Sequence, residues 1–104
     1  MSRQNRLLKL LIEIDSGEDK LLLLTPEPAI YCGNVKFLTK SGYLIGVFND
    51  CGGFDYIDFI IGISNEILFD YDRDYDAMFD VGNYRPSNFS EVNYWHMNKN
   101  YKKT

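Results

Sequence analysis

Three short apolar runs, each ending where the chain can reverse, constrain the fold of this sequence more than any other feature. They cover residues 43–48, 55–61 and 66–71. Gly52 and Gly53 lie between the first two runs and supply the backbone freedom that a tight turn needs. The third run alternates side chains in the manner of a strand. The pattern predicts a meander of three antiparallel strands.

The N-terminal segment fits two structures. Leu7, Leu8, Leu11 and Ile14 share one face of a helix, whereas residues 12–15 alternate like a strand. A polar, glycine-containing segment follows, and then a second apolar run over residues 20–25. Because a hairpin explains both apolar runs at once, we favour a strand over residues 7–14.

A central helix is predicted over residues 26–41. Thr25 can cap its start, and Pro26 is tolerated in the first turn of a helix. Lys40 and Gly42 suit the other end. The pair Gly33-Asn34 is the weak point of this prediction, since glycine disfavours a helix interior.

A second helix is predicted near the C-terminus, over residues 88–98, where Phe89, Val92 and Trp95 recur at helical spacing. The basic tail at 99–104 is expected to fray. Together these elements predict a single α+β domain over residues 1–104, with a small antiparallel β-sheet, one central helix and one C-terminal helix.

The apolar runs are much shorter than the roughly 20 residues that a membrane-spanning helix requires, and the N-terminus lacks the pattern of a signal peptide. We therefore expect a cytoplasmic protein without a membrane partner. Cys32 and Cys51 form no CxxC pair and have no nearby ligands to complete a zinc site. Reduced thiols, no metal and no cofactor are expected.

Negative charge is concentrated in one part of the chain. Residues 50–91 contain ten acidic and two basic residues, although the net charge of the whole chain is only −4. A surface of this kind repels nucleic acid and anionic membranes and attracts basic proteins or cations. Direct nucleic-acid binding is therefore not expected, and a basic protein surface is the expected partner.

The densest acidic run places Asp70, Asp72, Asp74 and Asp76 at every second position, with Asp80 beyond. In a strand these carboxylates share one face, about 6.6 Å apart, and present a line of charge like a nucleic-acid backbone. DNA mimicry is the sharper hypothesis, and a solvated, self-repelling strand end or turn is the plainer and favoured one. A calcium loop is not expected, because the sequence lacks the required glycine at the sixth position and the glutamate at the twelfth.

Tyrosines accompany the acids, and this combination is typical of protein-binding surfaces. The preferred function is a non-enzymatic binding module, an inhibitor or modulator, that engages a basic protein such as a nucleic-acid-binding or host-defence protein. The candidate binding residues are Asp55, Tyr56, Asp58, Asp70, Tyr71, Asp72, Asp74, Tyr75, Asp76 and Asp80.

The alternative is a small-ligand-binding or catalytic domain centred on Asp50, Cys51, Asp55 and His96, which are the ingredients of a nucleophile, a base and an orienting group. No spacing in the sequence places His96 against Cys51, and the glycines match neither a P-loop nor a dinucleotide fingerprint. An enzyme is therefore the less favoured interpretation, and no catalytic residue is assigned.

The abundance of Tyr, Asp and Asn and the scarcity of Ala resemble the composition of small accessory proteins of AT-rich tailed bacteriophages or their low-GC hosts. The resemblance is spread along the chain and includes no motif. It implies a host-directed inhibitory or anti-defence role in a bacterial cytoplasm, and it assigns no function to any residue.

Overall fold

Five antiparallel strands form one sheet in the computed structural model, which describes residues 2–25, 33–50 and 53–84, with the backbone alone described at 53 and 54. The strands lie side by side in chain order, so each strand pairs antiparallel with the strand that follows it in the chain. In chain order the described elements are α1 (Arg3–Ser16), β1 (Leu21–Leu23), β2 (Gly33–Thr39), β3 (Leu44–Asp50), β4 (Gly53–Ile61), β5 (Ile67–Asp70), α2 (Tyr71–Asp74) and α3 (Phe79–Gly82).

The predicted α+β class and the three-stranded meander are confirmed. Strands β3, β4 and β5 cover the three apolar runs to within a few residues at each end. Strands β1 and β2 extend the same meander on its other side, because β2 pairs with β3 and β1 pairs with β2.

The prediction of a strand over residues 7–14 is wrong, because the segment belongs to helix α1. The Ser2 side chain caps the helix by accepting a hydrogen bond from the backbone N–H of Asn5 at 3.1 Å. The helix ends at Gly17, whose φ of 87° is a left-handed conformation that glycine adopts readily. The buried residues of the helix recur at helical spacing and are Leu7, Leu10, Leu11 and Ile14.

The prediction of a central helix over residues 26–41 is wrong for residues 33–41, the part of this range that the structure describes. Residues 33–39 form strand β2, in which Val35, Phe37 and Thr39 are buried and the residues between them are exposed. This period of two belongs to a strand that is covered on one face. Gly33, with a φ of 110°, cannot lie in a helix. Residues 26–32 lie outside the described part of the chain.

The inner face of the sheet carries the hydrophobic core. Phe37, Ile45, Val47, Ile57 and Phe69 are fully buried on this face. They form a single cluster with the buried leucines of α1 and with Met78 and Val81 at α3. The other face, here called the outer face, carries the alternate residues of the same strands.

The predicted C-terminal helix over residues 88–98 and the tail at 99–104 lie outside the described residues. The described helices that follow the sheet are the short α2 and α3, which the sequence analysis did not predict. Among the described helices, none has the length and apolar character to span a membrane.

Candidate functional site

Aromatic rings on four elements contact one another in series. Centroid separations are 5.3 Å for Phe48 and Tyr56, 3.9 Å for Tyr56 and Tyr71, 4.9 Å for Tyr71 and Tyr75, and 5.4 Å for Tyr75 and Phe79. The first two contacts are stacked, and the last is edge-on. We call these five residues the aromatic ridge.

Strand pairing and a sharp turn position the ridge. Phe48 and Tyr56 are register partners on β3 and β4, so their rings meet on the outer face. At the end of β5, Asp70 caps α2 by accepting a hydrogen bond from the backbone N–H of Arg73 at 3.2 Å. The chain turns there, and the ring of Tyr71 lies against that of Tyr56.

The remaining ridge residues follow Tyr71 at four-residue intervals, which places side chains above one another along a helical path. The backbone N–H of Tyr75 donates to the backbone carbonyl of Tyr71 at 3.1 Å. The backbone N–H of Met78 donates to the backbone carbonyl of Asp74 at 2.8 Å. The helical path therefore continues beyond α2, and it brings Tyr75 and Phe79 into line with Tyr71.

Carboxylates border the ridge at Asp55, Asp58 and Asp72, which we call the acidic rim. Asp55 and Asp72 are exposed, and Asp58 is half-buried. The side-chain amide of Asn34 donates to Asp58 Oδ2 at 3.0 Å. Asp58 sits at a bulge of β4, where residues 57 and 59 pair with consecutive residues of β3. The bulge provides the extra residue that lies next to Asn34.

The negative charge of the acidic rim raises the pKa values of the neighbouring tyrosines. Burial raises the pKa of Tyr56, and the negative charges of Asp58, Asp55 and Asp72 raise it further. The pKa of Tyr71 is raised by burial, by Tyr75, which also forms a hydrogen bond with it, and by Asp55 and Asp72. Both phenols therefore stay neutral at physiological pH, and the ridge combines neutral aromatic faces with a negative border.

Asp74 belongs to a different, structural network. Its carboxylate accepts hydrogen bonds from Arg73 Nε at 3.0 Å, from Arg73 Nη2 at 2.7 Å and from the backbone N–H of Asp70 at 3.0 Å. Arg3 of α1 approaches it at 3.6 Å. Asp74 is 5% exposed. The hydrogen bonds from Arg73 outweigh the effect of burial and lower the pKa of Asp74.

The hypothesis of a line of carboxylates at 70, 72, 74 and 76 along a strand is therefore wrong. The segment turns into α2, where Asp70 is a helix cap and Asp74 is buried against Arg73. Asp76 is exposed in the segment that follows α2, and Asp80 is exposed within α3. The predicted site residues that the structure brings together are Asp55, Tyr56, Asp58, Tyr71, Asp72 and Tyr75.

Sequence reasoning missed Phe48 and Phe79, the two ends of the ridge. A signal for Phe79 was present, because Tyr71, Tyr75 and Phe79 recur every four residues. Phe48 is found only through the β3–β4 register, which pairs it with Tyr56 across a turn. That register also depends on bulges, which the sequence pattern does not locate.

The alternative site is described only in part. Asp50 and Asp55 are exposed on β3 and β4, while Cys51 and His96 lie outside the described residues. Within residues 2–25, 33–50 and 53–84, no group of three or more Asp, Glu, His or Cys side chains is arranged to hold a metal ion. The catalytic interpretation stays a prediction.

A second polar cluster joins the α1–β1 loop to the β2–β3 turn. Asp19, 8% exposed, accepts hydrogen bonds from the backbone N–H of Ser41 at 3.2 Å and from its hydroxyl. Because the Ser41 proton is used there, Thr39 donates its own hydroxyl to Ser41 at 2.9 Å. Thr39 Oγ1 in turn accepts from the Tyr43 N–H at 2.9 Å. These groups satisfy one another, so the cluster is a structural link between two turns.

Comparison of the chain with protein-family models, curated proteins and solved structures finds no match. Function is therefore inferred from the geometry of the aromatic ridge and its acidic rim.

Proposed function

We propose that this protein is a non-enzymatic binding module whose aromatic ridge and acidic rim engage a basic surface of another protein. The observation that carries the proposal is the stack of Tyr56 on Tyr71, bordered by the carboxylates of the acidic rim. Neutral aromatic faces beside carboxylates form an environment suited to arginine and lysine side chains.

The chemistry favours arginine. A guanidinium group stacks on an aromatic face and donates paired hydrogen bonds to a carboxylate, whereas an ammonium group acts as a point charge. Tyrosines anchor protein interfaces because they offer a large, rigid contact area and a polar tip. Asp55 and Asp72 are exposed at the border of the aromatic ridge.

The charge around the site adds long-range attraction. The ten acidic residues of the segment 50–91 outnumber its two basic residues, so a basic partner is drawn toward the half of the chain that contains Tyr56 and Tyr71. A nucleic-acid-binding or defence protein of a bacterial host fits this description, and the binding module acts on it as an inhibitor or modulator in the cytoplasm.

Mimicry of DNA through evenly spaced carboxylates is not part of the proposal. It needs the four aspartates of the run 70–76 to be equivalent and free, whereas Asp74 is paired with Arg73 and Asp70 caps α2. Recognition through the aromatic ridge needs only the carboxylates of the acidic rim.

The test measures affinity for an arginine-rich peptide, with a lysine-rich peptide of equal charge for comparison. The rim variant Asp55→Asn/Asp72→Asn removes two exposed carboxylates, and the matched control Glu13→Gln/Glu18→Gln removes two acids of the α1 end of the chain. We expect the rim variant to bind the arginine-rich peptide about tenfold more weakly, with the control close to wild type. Equal losses in the two variants would show that bulk charge alone attracts the peptide, and would contradict the proposal.

A further inference from the structure

A hydrogen bond between two side chains crosses the middle strand of the sheet on its outer face. The side-chain amide of Asn34 on β2 donates to Oδ2 of Asp58 on β4 at 3.0 Å. Strand β3 lies between β2 and β4, so the backbones of these two strands are about 9.6 Å apart, twice the spacing of neighbouring strands. Both side chains must reach over β3 to meet. We call this hydrogen-bonded pair the polar bridge.

The polar bridge crosses β3 beside Phe48. Asn34 is the register partner of Phe48, whereas Asp58 is the bulge residue of β4, between the partners of two consecutive β3 residues. Because a bulge residue has no partner opposite it, the Asp58 side chain can lean over the neighbouring strand. On the far side of the crossing, the ring of Phe59 covers Gly46, where a Cβ atom would collide with it. The polar bridge therefore lies between two aromatic rings.

One face of the Phe48 ring is turned toward the polar bridge. The rings of Phe48 and Tyr56 are inclined by only 23°, with centroids 5.3 Å apart, which is close to the spacing of about 4.8 Å between neighbouring strands. The two rings therefore stand upright on β3 and β4, face to face. The second face of Phe48 is turned toward β2, where Asn34 lies exposed. A planar cation stacked on this second face has the polar bridge at its edge.

Asp58 influences the aromatic ridge more strongly than the other carboxylates of the acidic rim do. After burial, its negative charge is the largest cause of the raised pKa of Tyr56, ahead of the charges of Asp55 and Asp72. Asp58 is also half-buried, and salt screens a half-buried charge less than an exposed one. The carboxylate best placed to attract a cation at the Phe48 end of the ridge is therefore the one that Asn34 holds.

The polar bridge favours arginine because it holds a carboxylate in one orientation. A guanidinium group is a rigid planar fork that stacks on an aromatic face and donates two parallel hydrogen bonds to a carboxylate, so it gains most from an acceptor that is already oriented. A lysine ammonium has rotatable donors and binds a carboxylate in many orientations. The bond from Asn34 occupies one of about four acceptor positions of the Asp58 carboxylate, which leaves the others for a ligand.

We propose that Asn34 is a positioning residue that makes the aromatic ridge select arginine over lysine. It fixes the Asp58 carboxylate at the edge of the Phe48 ring, where a guanidinium stacked on that ring meets it. The inference rests on the proposed binding of a basic partner, and it names the cation that the partner presents and the residue that sets the preference. Asp55 and Asp72 attract either cation, whereas the polar bridge discriminates between the two.

Affinities of the full chain for an arginine-rich peptide and for a lysine-rich peptide of equal charge test the proposal. Wild type should bind the arginine-rich peptide about tenfold more tightly. Asn34→Leu should lower this preference to about threefold or less, by weakening binding of the arginine-rich peptide alone. Asn5→Leu replaces an exposed asparagine of α1 and is the matched control, which should keep the wild-type preference. Asp55→Asn/Asp72→Asn should weaken binding of both peptides alike.

A double-mutant cycle shows whether Asn34 acts through Asp58. In an Asp58→Asn background, Asn34→Leu should not change the preference further, because the carboxylate that Asn34 positions is gone. A wild-type chain that binds neither peptide overturns the proposed function and this inference together. Three results overturn this inference alone: equal binding of the two peptides by wild type, equal losses for both peptides in Asn34→Leu, or a further loss of preference in Asp58→Asn/Asn34→Leu. An Asn34→Leu variant with the wild-type preference does so as well.

Discussion

The ring of Tyr56 on strand β4 stacks on the ring of Tyr71 at the start of helix α2, with centroids 3.9 Å apart. The contact joins the outer face of the sheet to the segment that leaves it. Carboxylates of the acidic rim raise the pKa of both phenols, although burial is the larger cause. The proposed binding function depends on this pair.

The stack should be detectable as an energetic coupling. In a double-mutant cycle of Tyr56→Leu and Tyr71→Leu, the loss of stability in the double variant should be smaller than the sum of the single losses, because each single change already breaks the contact. Urea unfolding measures all four proteins. A control cycle of Tyr56→Leu with Tyr43→Leu, which lies at the opposite end of the strands, should be additive. An additive Tyr56/Tyr71 cycle would argue against the stack.

Neutralising Asp74 should destabilise the fold, whereas neutralising its neighbour Asp76 should not. Asp74→Asn removes the buried charge that accepts hydrogen bonds from three donor atoms, which should cost about 2 kcal/mol. Asp76 is exposed, so Asp76→Asn should stay within about 0.5 kcal/mol of wild type. Urea unfolding at neutral pH compares them. Equal stability of the two variants would contradict the structural role of Asp74.

The same carboxylate should shape stability in acid. Because the pKa of Asp74 is lowered in the folded protein, its contribution is complete above the unfolded carboxyl pKa of about 3.9 and is lost as pH falls through the lower folded pKa. The stability difference between wild type and Asp74→Asn should therefore be constant near neutrality and shrink in acid. Unfolding by urea at a series of pH values measures it, and a pH-independent difference would count against the pairing with Arg73.

The link between Asp19 and Ser41 should contribute to stability and not to binding. Ser41→Ala removes a donor from a buried carboxylate, which should lower the free energy of unfolding by about 1.5 kcal/mol. Ser64→Ala, in the exposed β4–β5 turn, is the control and should change stability by less than about 0.5 kcal/mol. Thermal unfolding compares the two variants. Equal midpoint temperatures of Ser41→Ala and Ser64→Ala would contradict a stabilising link between Asp19 and Ser41.

The parts of the fold that the sequence predicts are those with local signals. Strands β3, β4 and β5 combine apolar runs with turn residues a few positions away, and all three are confirmed. The sequence pattern predicts a helix at strand β2 because Pro26 and Lys40 resemble helix ends. The alternation of Val35, Phe37 and Thr39 indicates a strand only once the pairing with β3 is known.

The candidate site was predictable in its residue types and not in its geometry. The mixture of tyrosine and aspartate indicated a binding surface, and Tyr56, Tyr71 and Tyr75 do form a continuous stack. Their contact depends on the turn at Asp70, whereas the sequence pattern leaves open whether the run 70–76 is a strand or a turn. Asp70 caps α2, as aspartates commonly do, and within this turn Asp74 is buried against Arg73, apart from the acids at the surface.

Whether a basic partner binds at the aromatic ridge can be measured by mapping amide chemical shifts of the isotope-labelled protein during titration with an arginine-rich peptide. We predict that shifts concentrate at Phe48, Tyr56, Tyr71 and Tyr75 and at the acidic rim. We also predict that added salt weakens the binding without moving its location. Shifts centred on the exposed acids Asp76 and Asp80 or on Asp50, with the tyrosine amides unchanged, would contradict the account.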